Sequence, residues 1–121
     1  MNQHEKINYL EFPANNLKLA RNFFSQTFGW SFTDYGPEYT AFSAAGIEGG
    51  FYHSSLNVSA SKGSVLVVLY SNNLQATRDK IEKAGGKITV PVFSFPGGHR
   101  FHFTDPNSNE FAVWSDCYKE S

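Results

Sequence analysis

The sequence repeats itself once, at a distance of 57 residues. The segment Asn15–Arg21 (NNLKLAR) returns as Asn72–Arg78 (NNLQATR), and Gly29 returns as Gly86. Two similar sequences in one chain fold into two similar structural units. The repeat therefore predicts a fold made of two related modules.

Each copy of the repeat has the pattern of a capped helix. An asparagine precedes the first leucine in Asn16–Leu17 and in Asn73–Leu74, where its side chain can accept the free N–H groups of the first turn. Apolar residues follow at helical spacing. Gly29 and Gly86 are predicted to end the two helices.

Short apolar segments bounded by turn residues predict the strands. One strand is expected before each helix, at Ile7–Pro13 and at Ser64–Ser71. Three more are expected after each helix, at Trp30–Tyr35, Tyr39–Ala44, Ile47–His53, Lys87–Phe95, His99–Thr104 and Glu110–Ser115. The order is βαβββ, written twice, which is an α+β fold of two tandem modules. The continuous apolar run Val65–Tyr70 predicts a strand covered on both faces.

The length and the composition limit the organisation and the partners. A chain of 121 residues has the size of one domain, divided into modules at 1–58 and 64–117 by a linker rich in Ser, Ala and Gly at about 54–63. The formal net charge of −1 provides no basic face for nucleic acid. A lone Cys117 and a polar start at Met1–Lys6 favour a cytoplasmic protein without disulfides, targeting signal or membrane span.

The turn Phe103–Asn109 (FTDPNSN), placed before the last strand of a βαβββ pair, resembles the vicinal oxygen chelate superfamily. That superfamily includes the glyoxalase, bleomycin-resistance and extradiol dioxygenase proteins. The resemblance extends over nearly the whole chain, through Glu11–Ala14, Phe28–Trp30, Gly49–Gly50 and Ala84–Lys87. It implies that each module curls a four-stranded sheet and that two modules enclose a cleft, which holds a divalent ion in the metal-dependent members.

The resemblance also locates the expected metal ligands. The three positions hold Tyr9, Leu66 and Ala112, and a fourth ligand would come from a window that contains His53. A divalent ion needs three or four N, O or S ligands, which a phenol, an isobutyl group and a methyl group do not supply. We therefore expect a protein with no metal and no other cofactor.

Strand alternation leaves one alternative open. Along His99–Thr104, the two phenylalanines share a face with His99, and Arg100 shares the other face with His102. Only one of these faces can line a cleft, and the sequence does not say which.

The function favoured by the resemblance is the binding of a small organic molecule in the cleft between the modules, for sequestration or sensing, by a homodimer. Six residues are predicted to line the site: Tyr9, Glu11, Tyr52, His53, Tyr70 and Trp114. One alternative is a metal-independent lyase or isomerase with Glu11 as general base and Tyr9 or His53 as its acid partner. Others are a glyoxalase-type enzyme with unrecognised metal ligands and a protein-interaction module.

Overall fold

Each copy of the repeat folds as one strand, one helix and three further strands. The structure, a computed structural model, describes residues 2–117. The first half forms β1 (Tyr9–Ala14), α1 (Leu17–Phe28), β2 (Ser31–Asp34), β3 (Tyr39–Ser43) and β4 (Glu48–His53). The second half forms β5 (Val67–Tyr70), α2 (Leu74–Lys83), β6 (Lys87–Phe95), β7 (Gly98–Thr104) and β8 (Glu110–Ser115). The predicted α+β fold of two βαβββ modules is confirmed, and a short 3₁₀ helix at Ala60–Lys62 lies in the predicted linker.

The chain divides into two units, of which one ends at Asn57 and the other begins at Val58. Each unit has its own four-stranded sheet, with strand order β1-β4-β3-β2 in the first and β5-β8-β7-β6 in the second. In both sheets the strand before the helix pairs in parallel with the last strand of its module, and the remaining pairs are antiparallel. The sequence repeat is therefore a repeat of topology.

Both helices begin at the predicted asparagine caps. The side-chain oxygen of Asn16 accepts the Leu19 N–H at 3.1 Å, and that of Asn73 accepts the Ala76 N–H at 3.1 Å. These bonds satisfy N–H groups that have no partner inside the helix. Neither helix, within the part of the chain that the structure describes, is long and apolar enough to cross a membrane.

The two helices end differently. Gly29 closes α1 in the left-handed conformation with φ of 75°, as predicted. The prediction that Gly86 closes α2 is wrong by one residue, because Gly85 takes the left-handed conformation there with φ of 102°. The Gly86 N–H then donates to the Ile81 carbonyl at 2.8 Å, which completes the turn.

Aromatic rings fill the space between α1 and the first sheet. The Phe24 ring stacks on Trp30 at 4.6 Å between centroids and on Phe51 at 5.4 Å. The buried apolar side chains of this core are Phe12, Ala14, Leu17, Ala20, Phe23, Phe24, Trp30, Phe42 and Phe51. Successive side chains of a strand point to opposite faces of the sheet, so the residues next to Phe12, Phe42 and Phe51 lie on the face away from α1.

The core of the second unit decides which face of β7 is buried. Phe101 and Phe103 are completely buried together with Phe111, on which the Phe103 ring stacks at 5.5 Å. The helix contributes its two buried residues, Leu74 and Ile81. The side chains of Arg100 and His102 consequently lie on the face of the sheet away from α2.

Two features of the outer strands affect how the second sheet is exposed. The prediction that β5 is covered on both faces is wrong, because Val68 is 40% exposed and Tyr70 is 53% exposed on the face away from α2. At the other edge, β6 contains Pro91, which has no N–H to give to a neighbouring strand. Its pairing with β7 shifts register between Ile88 and Val90 and again between Val90 and Phe93.

Candidate functional site

The predicted site residues lie mostly on the face of each sheet that points away from its helix, which we call the open face. On the first sheet, strand register places Tyr9, Glu11, Gly50 and Tyr52 on this face. Antiparallel pairing adds Tyr39, which lies opposite Tyr52. The open face of the first sheet is thus rich in tyrosine.

Tyr39 connects two of the predicted residues. Its hydroxyl oxygen lies 2.5 Å from the Tyr9 hydroxyl oxygen and donates to Oε2 of Glu11 at 3.0 Å. Because Tyr39 gives its only proton to the carboxylate, Tyr9 is the donor in the other bond. The sequence analysis missed Tyr39, since only the pairing of β3 with β4 brings it beside β1.

Gly50 makes room for this cluster. A Cβ atom added at Gly50 would lie 2.1 Å from the Tyr39 hydroxyl oxygen, so the tyrosine side chain passes directly over the glycine. Burial raises the pKa of Tyr39 above its ordinary value, and the hydrogen bonds with Tyr9 and Glu11 raise it further. Tyr39 therefore stays a neutral hydrogen-bond donor.

The structure does not bring His53 into this cluster. Its position on β4 has the opposite parity to Tyr52, and its Nδ1 lies 3.1 Å from Oε2 of Glu38. Both side chains of this pair are at least half exposed, and such surface pairs contribute little to stability. Tyr9, Glu11 and Tyr52 share a face, whereas His53 lies apart from them.

On the second sheet, the open face brings Tyr70 and Trp114 into contact. Their rings meet edge to face, with centroids 5.2 Å apart and planes at 72°. The Tyr70 hydroxyl donates to Oδ1 of Asp116 at 2.6 Å, and this bond is the main reason why the pKa of Tyr70 is raised. Tyr70 and Trp114 were both predicted from the sequence to line the site. Their contact gives the open face of the second sheet an aromatic wall at this end.

Arg100 lies on the same open face, directly across from Trp114 in the pairing of β7 with β8. Its guanidinium carbon is 5.3 Å from the centre of the Phe93 ring and 5.8 Å from that of Phe95, which is cation–π geometry. The Nε atom is buried and has no hydrogen-bond partner among the described residues. No carboxylate within residues 2–117 pairs with this guanidinium.

His102 follows two residues later on the same face and is paired with Glu110. Its Nδ1 lies 2.9 Å from Oε2 of Glu110, whose other oxygen accepts the Ala60 N–H at 2.8 Å. The bond with His102, followed by the bond with Ala60, lowers the pKa of Glu110. The opposite ring atom of His102, Nε2, is buried and has no partner in the described part of the chain.

The sequence left open whether the face with Arg100 and His102 or the opposite face lines the cleft. It did not identify Glu110 as a site residue. Choosing the face required knowing that Phe101 and Phe103 belong to the core. The signal for Glu110 was its place at the start of β8, opposite the end of β7, which depends on strand register rather than on a local motif.

The positions at which the resemblance expects metal ligands do not fit a divalent ion. Leu66 and Ala112 have no donor atom, and the Tyr9 hydroxyl is already bonded to Tyr39. From residue 2 to residue 117, no three His, Cys, Asp or Glu side chains gather in a way that could hold a metal.

Comparison with known proteins agrees with the architecture. The sequence profile described as Glyoxalase/Bleomycin resistance protein/Dioxygenase superfamily matches residues 6–113. No curated protein sequence matches the chain.

Three solved structures illustrate the similarity of fold. A fosfomycin resistance protein from Listeria monocytogenes is 12% identical with a TM-score of 0.76, over 93% of this chain and 94% of that one. A glyoxalase/bleomycin resistance protein/dioxygenase family enzyme from Burkholderia phytofirmans PsJN is 12% identical with a TM-score of 0.73, over 89% and 96%. A lactoylglutathione lyase from Agrobacterium tumefaciens is 16% identical with a TM-score of 0.68, over 94% and 96%. At these identities, the similarity concerns the fold alone.

Proposed function

Because the chain belongs to the glyoxalase/bleomycin resistance protein/dioxygenase superfamily, a group in which one fold serves many activities, we propose its function from the site rather than from the fold. The proposed function is the binding of a small aromatic carboxylate on the open face of the second sheet. Arg100 holds the carboxylate, and the rings around it hold the aromatic body. Metal independence, a homodimeric state and a cytoplasmic location stay predictions from the sequence.

The unpaired guanidinium of Arg100 is the observation that carries this proposal. Arginine presents a planar fork of N–H donors that matches a carboxylate with two parallel bonds. Here the charge has no acidic partner among the described residues, and its Nε is buried without an acceptor. Buried donors in folded proteins are nearly always satisfied, so an acceptor from a ligand completes this site.

The surroundings of Arg100 favour an aromatic ligand. Phe93 and Phe95 lie under the guanidinium, and the Phe95 ring is 6.3 Å from that of Trp114. Trp114 in turn contacts the half-exposed Tyr70. A ring placed among these side chains can pack in edge-to-face or offset contacts, in addition to burying its own apolar area.

The relatives support a role in handling small molecules. Two of the similar structures are described as a lactoylglutathione lyase and a fosfomycin resistance protein, and both descriptions refer to small organic molecules. We extend this only to the class of ligand, and the carboxylate preference comes from Arg100.

Isothermal titration calorimetry with phenylacetate tests the proposal. Phenylacetate should bind with a stoichiometry of one per chain, whereas phenylacetamide, which has the same shape without the charge, should bind at least about tenfold more weakly. Arg100→Gln should remove the preference for the acid. Arg78→Gln is the matched control, because Arg78 lies on α2 and pairs with Glu82. Equal affinity for the acid and the amide would overturn the proposal.

A further inference from the structure

We propose that His102 selects carboxylates that carry a hydroxyl group on the adjacent carbon, so that the preferred ligands are aromatic 2-hydroxycarboxylates. This inference rests on the proposed carboxylate site at Arg100. His102, which does not bind the carboxylate itself, thereby determines which carboxylates are preferred.

Arg100 and His102 face the same small region of the open face. They are separated by one residue on β7, so their side chains share a face and their Cα atoms are roughly 6.7 Å apart. Both contact the same ring: Phe93 lies 5.3 Å from the Arg100 guanidinium carbon and 6.0 Å from the His102 ring centre. A ligand held by one side chain is within reach of the other.

Glu110 determines which ring nitrogen of a neutral His102 carries the proton. Nδ1 faces Oε2 of Glu110, and a carboxylate can only accept a hydrogen bond. The Ala60 N–H holds the other carboxylate oxygen in place at 2.8 Å. In the neutral ring the proton is therefore on Nδ1, which leaves Nε2 with a lone pair that accepts a hydrogen bond.

The Nε2 acceptor of His102 has no hydrogen-bond partner within the described residues. The Nε2 atom is buried without a hydrogen bond, and His102 as a whole is only 8% exposed. A buried acceptor without a donor is costly, and a ligand that supplies the donor removes this cost. A carboxylate fixed on Arg100 with a hydroxyl on its neighbouring carbon presents such a donor.

The same arrangement discriminates against ligands without the hydroxyl. A site built to hydrogen-bond a ligand OH rejects the analogue that lacks it, because the buried polar group then stays unpaired. Mandelate and phenylacetate are a matched pair for this purpose, since they differ only in the hydroxyl group next to the carboxylate. We expect one enantiomer of mandelate to be preferred, because three groups on the chiral carbon are held: the carboxylate by Arg100, the hydroxyl by His102 and the ring by the surrounding aromatic side chains.

The experiment measures the affinities of R-mandelate, S-mandelate and phenylacetate by calorimetry at mildly alkaline pH. The better enantiomer should bind at least about tenfold more tightly than phenylacetate. In His102→Asn, the amide nitrogen replaces Nδ1 as the donor to Glu110 but nothing replaces Nε2, so the preference should disappear while phenylacetate affinity is retained. His53→Asn, which changes a histidine of the first unit, should keep the full preference.

The possible failures are distinguishable. If neither acid binds, the carboxylate site at Arg100 is overturned, and this inference falls with it. If phenylacetate binds and mandelate binds no better, the role of His102 alone is overturned. If His102→Asn does not fold, nitrogen-15 NMR of the unmodified protein decides: mandelate should shift the Nε2 resonance of His102 and phenylacetate should not, and equal shifts overturn the inference.

Discussion

Nδ1 of His102 lies 2.9 Å from Oε2 of Glu110, and the other oxygen of that carboxylate accepts the backbone N–H of Ala60. One carboxylate thus joins β7 and β8 to the 3₁₀ segment that precedes β5. This relationship fixes the orientation of a histidine whose second ring nitrogen is buried and has no hydrogen-bond partner among residues 2–117.

Glu110→Gln tests the structural value of this carboxylate. The variant replaces a charge-assisted bond with a neutral one, and we expect it to lower the free energy of unfolding at neutral pH by about 1.5 kcal/mol. The pKa of Glu110 is lowered in the folded state, so its contribution is present above its unfolded pKa and is lost as the pH falls through the folded value. Urea unfolding at several pH values should show the difference from wild type shrinking in acid. A difference that stays constant with pH would contradict this assignment.

Asp105 should give the opposite dependence on pH. Burial raises the pKa of this carboxyl to about 6, although the N–H groups of Asn109 and Asn107 oppose the shift. A carboxyl with a raised folded-state pKa favours the folded state below its unfolded value of 3.8, and this contribution is lost as the pH rises through about 6. The loss amounts to about 3 kcal/mol.

The matching variant is Asp105→Asn, in which the side-chain oxygen still accepts the turn N–H groups but the titration is gone. Urea unfolding of the variant at pH values between 3.8 and about 6 should show a shallower decline of the free energy of unfolding with pH than that of the wild type. Asp79→Asn, at an exposed position of α2, is the control and should leave the slope unchanged. If the free energy of unfolding of Asp105→Asn declined with pH as steeply as that of the wild type, a group other than Asp105 would be the cause of the decline.

The adjacent glycines of β4 should respond very differently to alanine. A Cβ at Gly49 would lie 2.2 Å from the Leu10 carbonyl oxygen, which belongs to the backbone of β1 and cannot move without disturbing the sheet. A Cβ at Gly50 meets the end of the Tyr39 side chain, which can swing away. We expect Gly49→Ala to cost about 3 kcal/mol and Gly50→Ala about 1 kcal/mol, measured by thermal or urea unfolding.

A double variant separates the two causes. With Tyr39→Ala in place, adding Gly50→Ala should cost almost nothing, because the obstructing ring has been removed. A full cost in that background would mean that the glycine is needed for the backbone itself.

Trp114→Leu should weaken the binding of phenylacetate by about tenfold without unfolding the protein, since the ring lies on the open face rather than in the core. Ligand should also quench the Trp114 fluorescence. In Trp30→Phe, which removes the buried tryptophan of the first unit, the quenching should persist.

Glu11→Gln should leave the affinity for phenylacetate unchanged, because Glu11 lies on the first sheet. A marked loss of affinity in this variant would indicate that the ligand binds at the tyrosine cluster of the first sheet instead.

Local signals in the sequence were enough to predict the architecture. The caps at Asn16 and Asn73 depend on neighbours three residues away, and both form as expected. The turn residues that separate the strands are likewise recognised from their own residue types and their nearest neighbours in the sequence. Where the prediction depended on what covers a strand, as for the two faces of β5, it was wrong, because periodicity within four residues does not report the surroundings.

The site was harder to predict because it is assembled by strand register. Tyr39 on β3 reaches Tyr9 on β1 over the intervening strand β4, although the two tyrosines are 30 residues apart in the chain. Arg100 and His102 become candidates only after the phenylalanines between and beyond them are known to fill the core. Residue type and alternation restricted these positions to two groups, and tertiary packing selected one.

The irregular β6 has a consequence for association between copies of the chain. It is the longest strand of the second sheet, with nine residues, and it lies at an edge, where a regular strand would offer a row of free N–H and C=O groups to another molecule. Pro91 interrupts that row, and the two register shifts bend it. Growth of the sheet into a fibre through this edge is therefore disfavoured.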